Sequence, residues 1–109
     1  MFHMLCCFHL KPEYKLAEFN KAFADFTVHL QGLDLVETSS PVGVRQSDTI
    51  LDTDSERDHE YFSIMSFRDR SQADAAVTYI GKNGMSADST HHKAYAMVDD
   101  PVFICWQDR

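Results

Sequence analysis

The stretch Phe2-His3-Met4-Leu5-Cys6-Cys7-Phe8-His9-Leu10 decides the fold. In an extended chain, successive side chains point to opposite sides. Phe2, Met4, Cys6, Phe8 and Leu10 therefore share one face, and His3, Leu5, Cys7 and His9 share the other. One face is apolar throughout and the other about half so, which predicts a central strand covered on both sides. The stretch has no basic start and no small-residue cleavage site, so it reads as a strand rather than a signal peptide.

Downstream, Lys11-Pro12-Glu13 closes the strand. Pro12 is expected in the first turn of a helix, with Glu13 at its positive end. Leu16, Phe19, Phe23, Phe26 and Leu30 recur at alternating spacings of three and four, predicting an amphipathic helix capped by Gly32. Residues 33–52 suggest an edge strand broken at Ser39-Ser40-Pro41. A polar hairpin loop spans Asp52 to Asp58, and a strand resumes from His59 to Phe67. In that strand Tyr61, Ser63, Met65 and Phe67 share one face, and Phe62 and Ile64 the other.

Ser71 is the expected N-cap of a short helix carrying Ala73, Ala76, Val77 and Ile80, and Gly81 to Gly84 ends it. A further helix is expected from Ser86 through His91, His92 and Tyr95 to about Met97. Asp99-Asp100-Pro101 reads as a turn, and Val102 to Trp106 as the closing strand.

The order strand, helix, strand, strand, helix, strand is the split β-α-β, or ferredoxin-like, pattern. The fold class is therefore α+β, in one domain over residues 1–109: a four-stranded antiparallel sheet with both helices on one face. A bare second face should be polar. Here both parities of the first, third and fourth strands carry large apolar groups, and the chain has no spare element to cover them. A second copy of the same sheet is the economical cover, so the expected partner is the chain itself, in a two-fold homodimer that closes an α/β barrel.

Composition narrows the function. The chain has 109 residues, 44% of them hydrophobic, with 8 Phe, 4 Tyr and 1 Trp, enough to fill a modest core. A net charge of −7 argues against nucleic acid and against an anionic membrane surface. No apolar run approaches the roughly 20 residues of a membrane span. Cys6, Cys7 and Cys105 make an odd set with one vicinal pair, which points to free thiols in a reducing cytoplasm.

Several blocks together resemble a known superfamily. They are the opening strand with His3 and the trailing Phe8-His9-Leu10-Lys11, and the block Tyr61-Phe62-Ser63-Ile64-Met65-Ser66-Phe67-Arg68-Asp69. To these add the helix bearing Tyr79, the helix bearing His91 and His92, and the ending Trp106-Gln107-Asp108. The chain resembles the dimeric α/β-barrel superfamily, and within it the stress-responsive barrel proteins and the small cofactor-free monooxygenases. The resemblance implies two facing sheets with helices outside, and a small-molecule site in a cleft between sheet and helices of each subunit. The proline that often precedes the helical His in that family is absent; Ser89 and Thr90 stand there instead.

Candidate chemistry is sparse. Adjacent helical residues point about 100° apart, so only one of His91 and His92 can face the sheet. That ring, with Tyr95, is the candidate for acid, base or hydrogen-bond chemistry. His3, Phe23, Tyr61, Tyr79 and Trp106 are the candidate substrate-binding residues, the phenols and indole serving as polar handles in an apolar cleft. His3 and His9 share a strand face but lie ~20 Å apart, too far for one metal. No Cys-x-x-Cys or His-Glu-x-x-His spacing occurs, and no metal or cofactor is expected. Asp52, Asp54, Glu56 and Asp58 mimic a calcium loop, but Arg57 replaces the required Gly and Ser63 the required Glu, so a solvated hairpin tip is expected. Cys105 should lie near the level of Cys6 or Cys7, where a buried apolar role outweighs a redox pair.

Two functions follow. The first is a homodimer that binds a small apolar or aromatic molecule without assigned catalysis. The second is a cofactor-free monooxygenase, isomerase or cyclase that uses the helical His on an aromatic or polyketide-like substrate.

Overall fold

A computed structural model describes residues 1–109. In chain order the elements are β1 (Phe2–Leu10), α1 (Leu16–Gly32), β2 (Thr38–Ser39), β3 (Gly43–Val44), β4 (Tyr61–Phe67), α2 (Arg70–Asn83), α3 (Thr90–Tyr95) and β5 (Val98–Gln107). The sheet is antiparallel in the order β2-β4-β1-β5, with β3 also paired to β4. The expected edge strand is thus two short pieces separated at Ser40-Pro41-Val42. Proline has no amide hydrogen to give the ladder, and a break there costs the sheet least at its edge.

β1 is central, as its two apolar parities require. Phe2 pairs with Phe67 on one side and Gln107 on the other, and Cys6 with Ser63 and Phe103. The even parity of β1 packs under the helices. Cys6 and Phe8 join Phe19, Phe23, Phe26 and Leu30 of α1 in the buried core. The Phe8 and Phe19 ring centroids are 4.9 Å apart, and Phe19 stacks on Phe23 at 5.6 Å. Large rings at every helical turn leave no space at this end of the sheet.

Local chemistry moves several boundaries. Pro12 and Glu13 lie in a turn ahead of α1, whose N-cap is Lys15. The Glu18 carboxylate accepts from the Lys15 backbone N–H at 3.0 Å, and that cap fixes the later start. Gly32 stays helical, and Asp34 takes the left-handed conformation at φ 56° instead. Asp69 rather than Ser71 caps α2, accepting from the Gln72 N–H at 2.8 Å. Ser89 caps α3 in the same way, so that helix is shorter than the sequence implies.

The largest correction concerns Asp99-Asp100-Pro101. These residues lie within β5 rather than in a turn before it. The register against β1 shifts between Cys7 and His9, and Asp100 has φ 51°. A bulge containing one left-handed residue absorbs the polar triplet without ending the strand. The longer β5 also corrects the cysteine geometry: Cys105 pairs with Met4, while Cys6 and Cys7 face Phe103 and Val102. All three thiols are free. No helix is long and apolar enough to cross a membrane.

Candidate functional site

The tight packing under α1 does not continue under α2. That helix buries only Gln72, Ala73 and Ala76. Two methyl groups cannot fill the space that phenylalanine fills beside them. An apolar cleft of about 800 Å³ results, open to the surface. Its floor is the sheet, through Phe2 and Met4 of β1, Met65 and Phe67 of β4, and Phe103 and Cys105 of β5. Phe26 and Leu30 of α1 form one wall, Ala73, Ala76, Val77 and Ile80 of α2 another, and His91 and Tyr95 of α3 close the end. The volume lies in the range of small-molecule sites, and the polar groups are few: His91 and Tyr95 at the α3 end, and Arg70 with Asp74 on α2.

His91 and Tyr95 sit one turn apart on α3, with ring centroids 5.0 Å apart. The Phe26 ring meets both edge-on, at 5.5 Å and 5.9 Å. Nδ1 of His91 lies 3.2 Å from the Gly84 carbonyl. A carbonyl only accepts, so Nδ1 carries the proton of the neutral ring and Nε2 keeps a free lone pair. Burial pushes the Tyr95 phenol well above its ordinary pKa, and the nearby Cys6 thiol adds to the shift. Tyr95 is therefore a neutral hydrogen-bond donor at any physiological pH. Beneath it, burial, with Cys7 adding, pushes Cys6 up to about 12, so that thiol stays protonated and unreactive. At the mouth, Arg70 pairs with Asp74 at 2.9 Å and lies 5.9 Å over the Phe2 ring.

The other candidates fall elsewhere. His92 is exposed on the outer side of α3, which settles which histidine faces the cleft. Phe23 is core, and Tyr61 packs on Phe8 at 5.7 Å. The Tyr79 hydroxyl bonds Nε2 of His29 at 2.8 Å, between α2 and α1. His3 and Trp106 pair across the opposite face of the sheet, with ring centroids 5.1 Å apart. There Nδ1 of His3 is 2.7 Å from the Ser66 hydroxyl and Nε2 is 3.1 Å from the Asp108 carboxylate. Among cleft residues, Met4, Met65, Phe67, Ala73, Ala76, Ile80 and Phe103 were not singled out from the sequence. The parity of the strands marks the floor residues, but the two alanines signal a cavity only once their large neighbours are placed.

Comparison with known proteins gives the fold a context. No family model matches the sequence, and no curated protein matches it. Solved structures do match. A protein from Arabidopsis thaliana superposes with a TM-score of 0.70 at 8% identity, covering 100% of this chain and 96% of the other. SnoaB, a cofactor-independent oxygenase from Streptomyces nogalater, superposes with a TM-score of 0.67 at 13% identity, over 99% of this chain and 92% of its own. A dimeric ferredoxin-like protein of unknown function from Jannaschia superposes at 0.63 with 16% identity, over 98% of each chain. The chain has a ferredoxin-like fold, as the Jannaschia protein does, in agreement with the expected fold class.

Proposed function

We propose that the chain binds a small apolar or aromatic molecule in the cleft between sheet and helices, as a homodimer joined through the open faces of its sheets. The observation that carries the binding role is the cleft of about 800 Å³, apolar apart from His91 and Tyr95 at one end and the Arg70–Asp74 pair at its mouth. A molecule with a flat or aliphatic body and one polar group fits that distribution. The dimer is supported by Leu5, Phe62, Ile64, Val102, Ile104 and Trp106, which lie on the sheet face away from the helices with no helix of their own chain over them. It is supported also by the dimeric state of the Jannaschia protein of like fold. The free thiols fit a reducing, cytoplasmic setting.

A thermal-shift screen with aromatic and fatty-acid-like ligands tests the binding role. At least one should raise Tm by mass action. Cys105→Trp on the cleft floor and Val77→Trp on its α2 wall, both at exposed positions, should cancel that rise while the unliganded protein stays folded. A flat response across a broad library sinks the proposal.

A second reading rests on the His91 tautomer. With Nδ1 held by the Gly84 carbonyl, Nε2 is free to act as a general base, and the Tyr95 ring, with its hydroxyl donor, lies 5.0 Å from the imidazole along the cleft lining. This is the arrangement a cofactor-free monooxygenase, isomerase or cyclase needs to deprotonate an aromatic or polyketide-like substrate. His91→Gln separates the two roles. If it removes turnover of a bound ligand and leaves ligand affinity near wild type, the protein is an enzyme. If a ligand binds and is never altered, it is a binding protein.

A further inference from the structure

Four carboxylates gather at the end of the open face where β1 ends, and no lysine or arginine pairs with them. Asp58 and Glu60 lead into β4, and Asp99 and Asp100 lie on the bulge of β5. The only basic groups within ion-pair distance of this set are imidazoles: His9 with Asp58 at 3.1 Å and Glu60 at 3.8 Å, and His59 with Asp100 at 3.3 Å. The adjacent loop is the contrast. There Asp52 and Asp54 are matched by Arg45 and Arg57, at 2.8 Å and 2.6 Å.

We propose that His9, Asp58 and Asp100 hold a divalent transition-metal ion, of which zinc is the representative. One donor atom from each residue lies within 4.8 Å of the donors of the other two. An ion bound at ~2.1 Å needs donors about 3.4 Å apart in a tetrahedral set, so small side-chain rotations close the site. The His9–Asp58 contact is already at that spacing.

His59 supplies an independent observation. It is 4% exposed, and its ring stacks on the His9 ring at 5.2 Å. Its Nε2–H donates to the Asp100 carbonyl at 2.8 Å and faces the Asp100 carboxylate. Its Nδ1 is buried and has no partner. The stack and the Asp100 carbonyl bond hold the His9 ring and the Asp100 backbone in place, as outer partners do beside metal ligands. The bulge at Asp100 then has a purpose: it turns one carboxylate of an edge strand toward a histidine on the neighbouring strand.

The donors are one imidazole nitrogen and two carboxylate oxygens, with no thiolate. That set suits zinc or manganese better than a soft ion, and the imidazole disfavours calcium and magnesium. Three protein ligands leave at least one position for water or a ligand atom. The site lies on the open face of β1, away from the cleft, and stands or falls independently of the function proposed above.

Zinc titration of the full chain, stripped with a chelator, tests it by calorimetry. The expected result is saturable uptake of one zinc per chain that millimolar magnesium does not displace. Asp58→Asn and His9→Gln should each weaken it by roughly tenfold or more. Asp58 is 92% exposed at its side chain, so its variant keeps the fold, which circular dichroism verifies. Cobalt substitution should give visible bands without the near-ultraviolet charge transfer of a thiolate. Three results overturn the proposal: no saturable uptake, uptake unchanged in Asp58→Asn, or a sulfur-to-cobalt band.

Discussion

The two faces of β1 differ in what covers them. On the helix side of β1, Phe8 and Cys6 are 0% and 2% exposed, sealed by α1. On the other side, His3, Leu5 and His9 are only partly covered, and the neighbouring Ile104 and Trp106 are 43% and 41% exposed. Of the β1 residues on that side only Cys7 is buried, near Arg45, Arg57 and Asp54 of the 45–60 loop. Arg45 ties that loop together, donating to Asp52 and to the carbonyls of Asp54 and Arg57. Alternation alone made both faces look buried. Only one is buried by its own chain, and the other leaves apolar side chains such as Ile104 and Trp106 uncovered.

The largest effect expected from this contrast lies in the covered face. Phe8→Ala should cost about 3–5 kcal/mol in urea unfolding, since the ring is fully enclosed and the site cannot collapse. The same kind of truncation on the open face, Ile104→Ala, should cost the isolated chain under about 1 kcal/mol. Equal costs would erase the distinction between the faces.

Next is Ile104→Asp. A charge placed in an apolar interface should weaken the dimer by about 2–3 kcal/mol, roughly 100-fold in dissociation constant by analytical ultracentrifugation, with the far-ultraviolet spectrum unchanged. A smaller effect belongs to the cleft: Tyr95→Phe removes one hydroxyl and should weaken a ligand found in the thermal screen by about 1 kcal/mol, with little change in the stability of the free protein.

The smallest expected effect concerns pH. A hydrogen bond from His3 holds the Asp108 carboxyl below the usual carboxylate range, and the His3 charge adds to it. A carboxyl depressed by folding stabilises the protein above its unfolded pKa, and this contribution is lost as pH falls through the lowered value. Asp108→Asn should therefore flatten the acid limb of the urea midpoint against pH, slightly, because the group is exposed. A steeper acid limb in the variant would reverse the sign of this coupling.

The fold was legible because each element carried its own period. Phe19, Phe23 and Phe26 mark one helical stripe, and the parity of Phe2 to Leu10 marks one strand, without reference to the rest of the chain. Local caps moved the helix ends, but the largest error came where the outcome depended on a distant partner. Asp99-Asp100-Pro101 has the composition of a turn, and only pairing with β1 holds it in a bulged strand. The cleft was half legible: the helical histidine and Tyr95 were visible, but the cavity depends on Ala73 and Ala76 lying opposite large residues of other elements. The His9–Asp58–Asp100 group was invisible for the same reason, since its members come from three segments far apart in sequence.

The most direct measurement of the central claim, that the open face is built for a second copy of the chain, is light scattering on the native protein at micromolar concentration. The account predicts about twice the 12.5 kDa chain mass, reduced to a single chain by Ile104→Asp. A native mass equal to one chain would leave the apolar open face without a partner and contradict it.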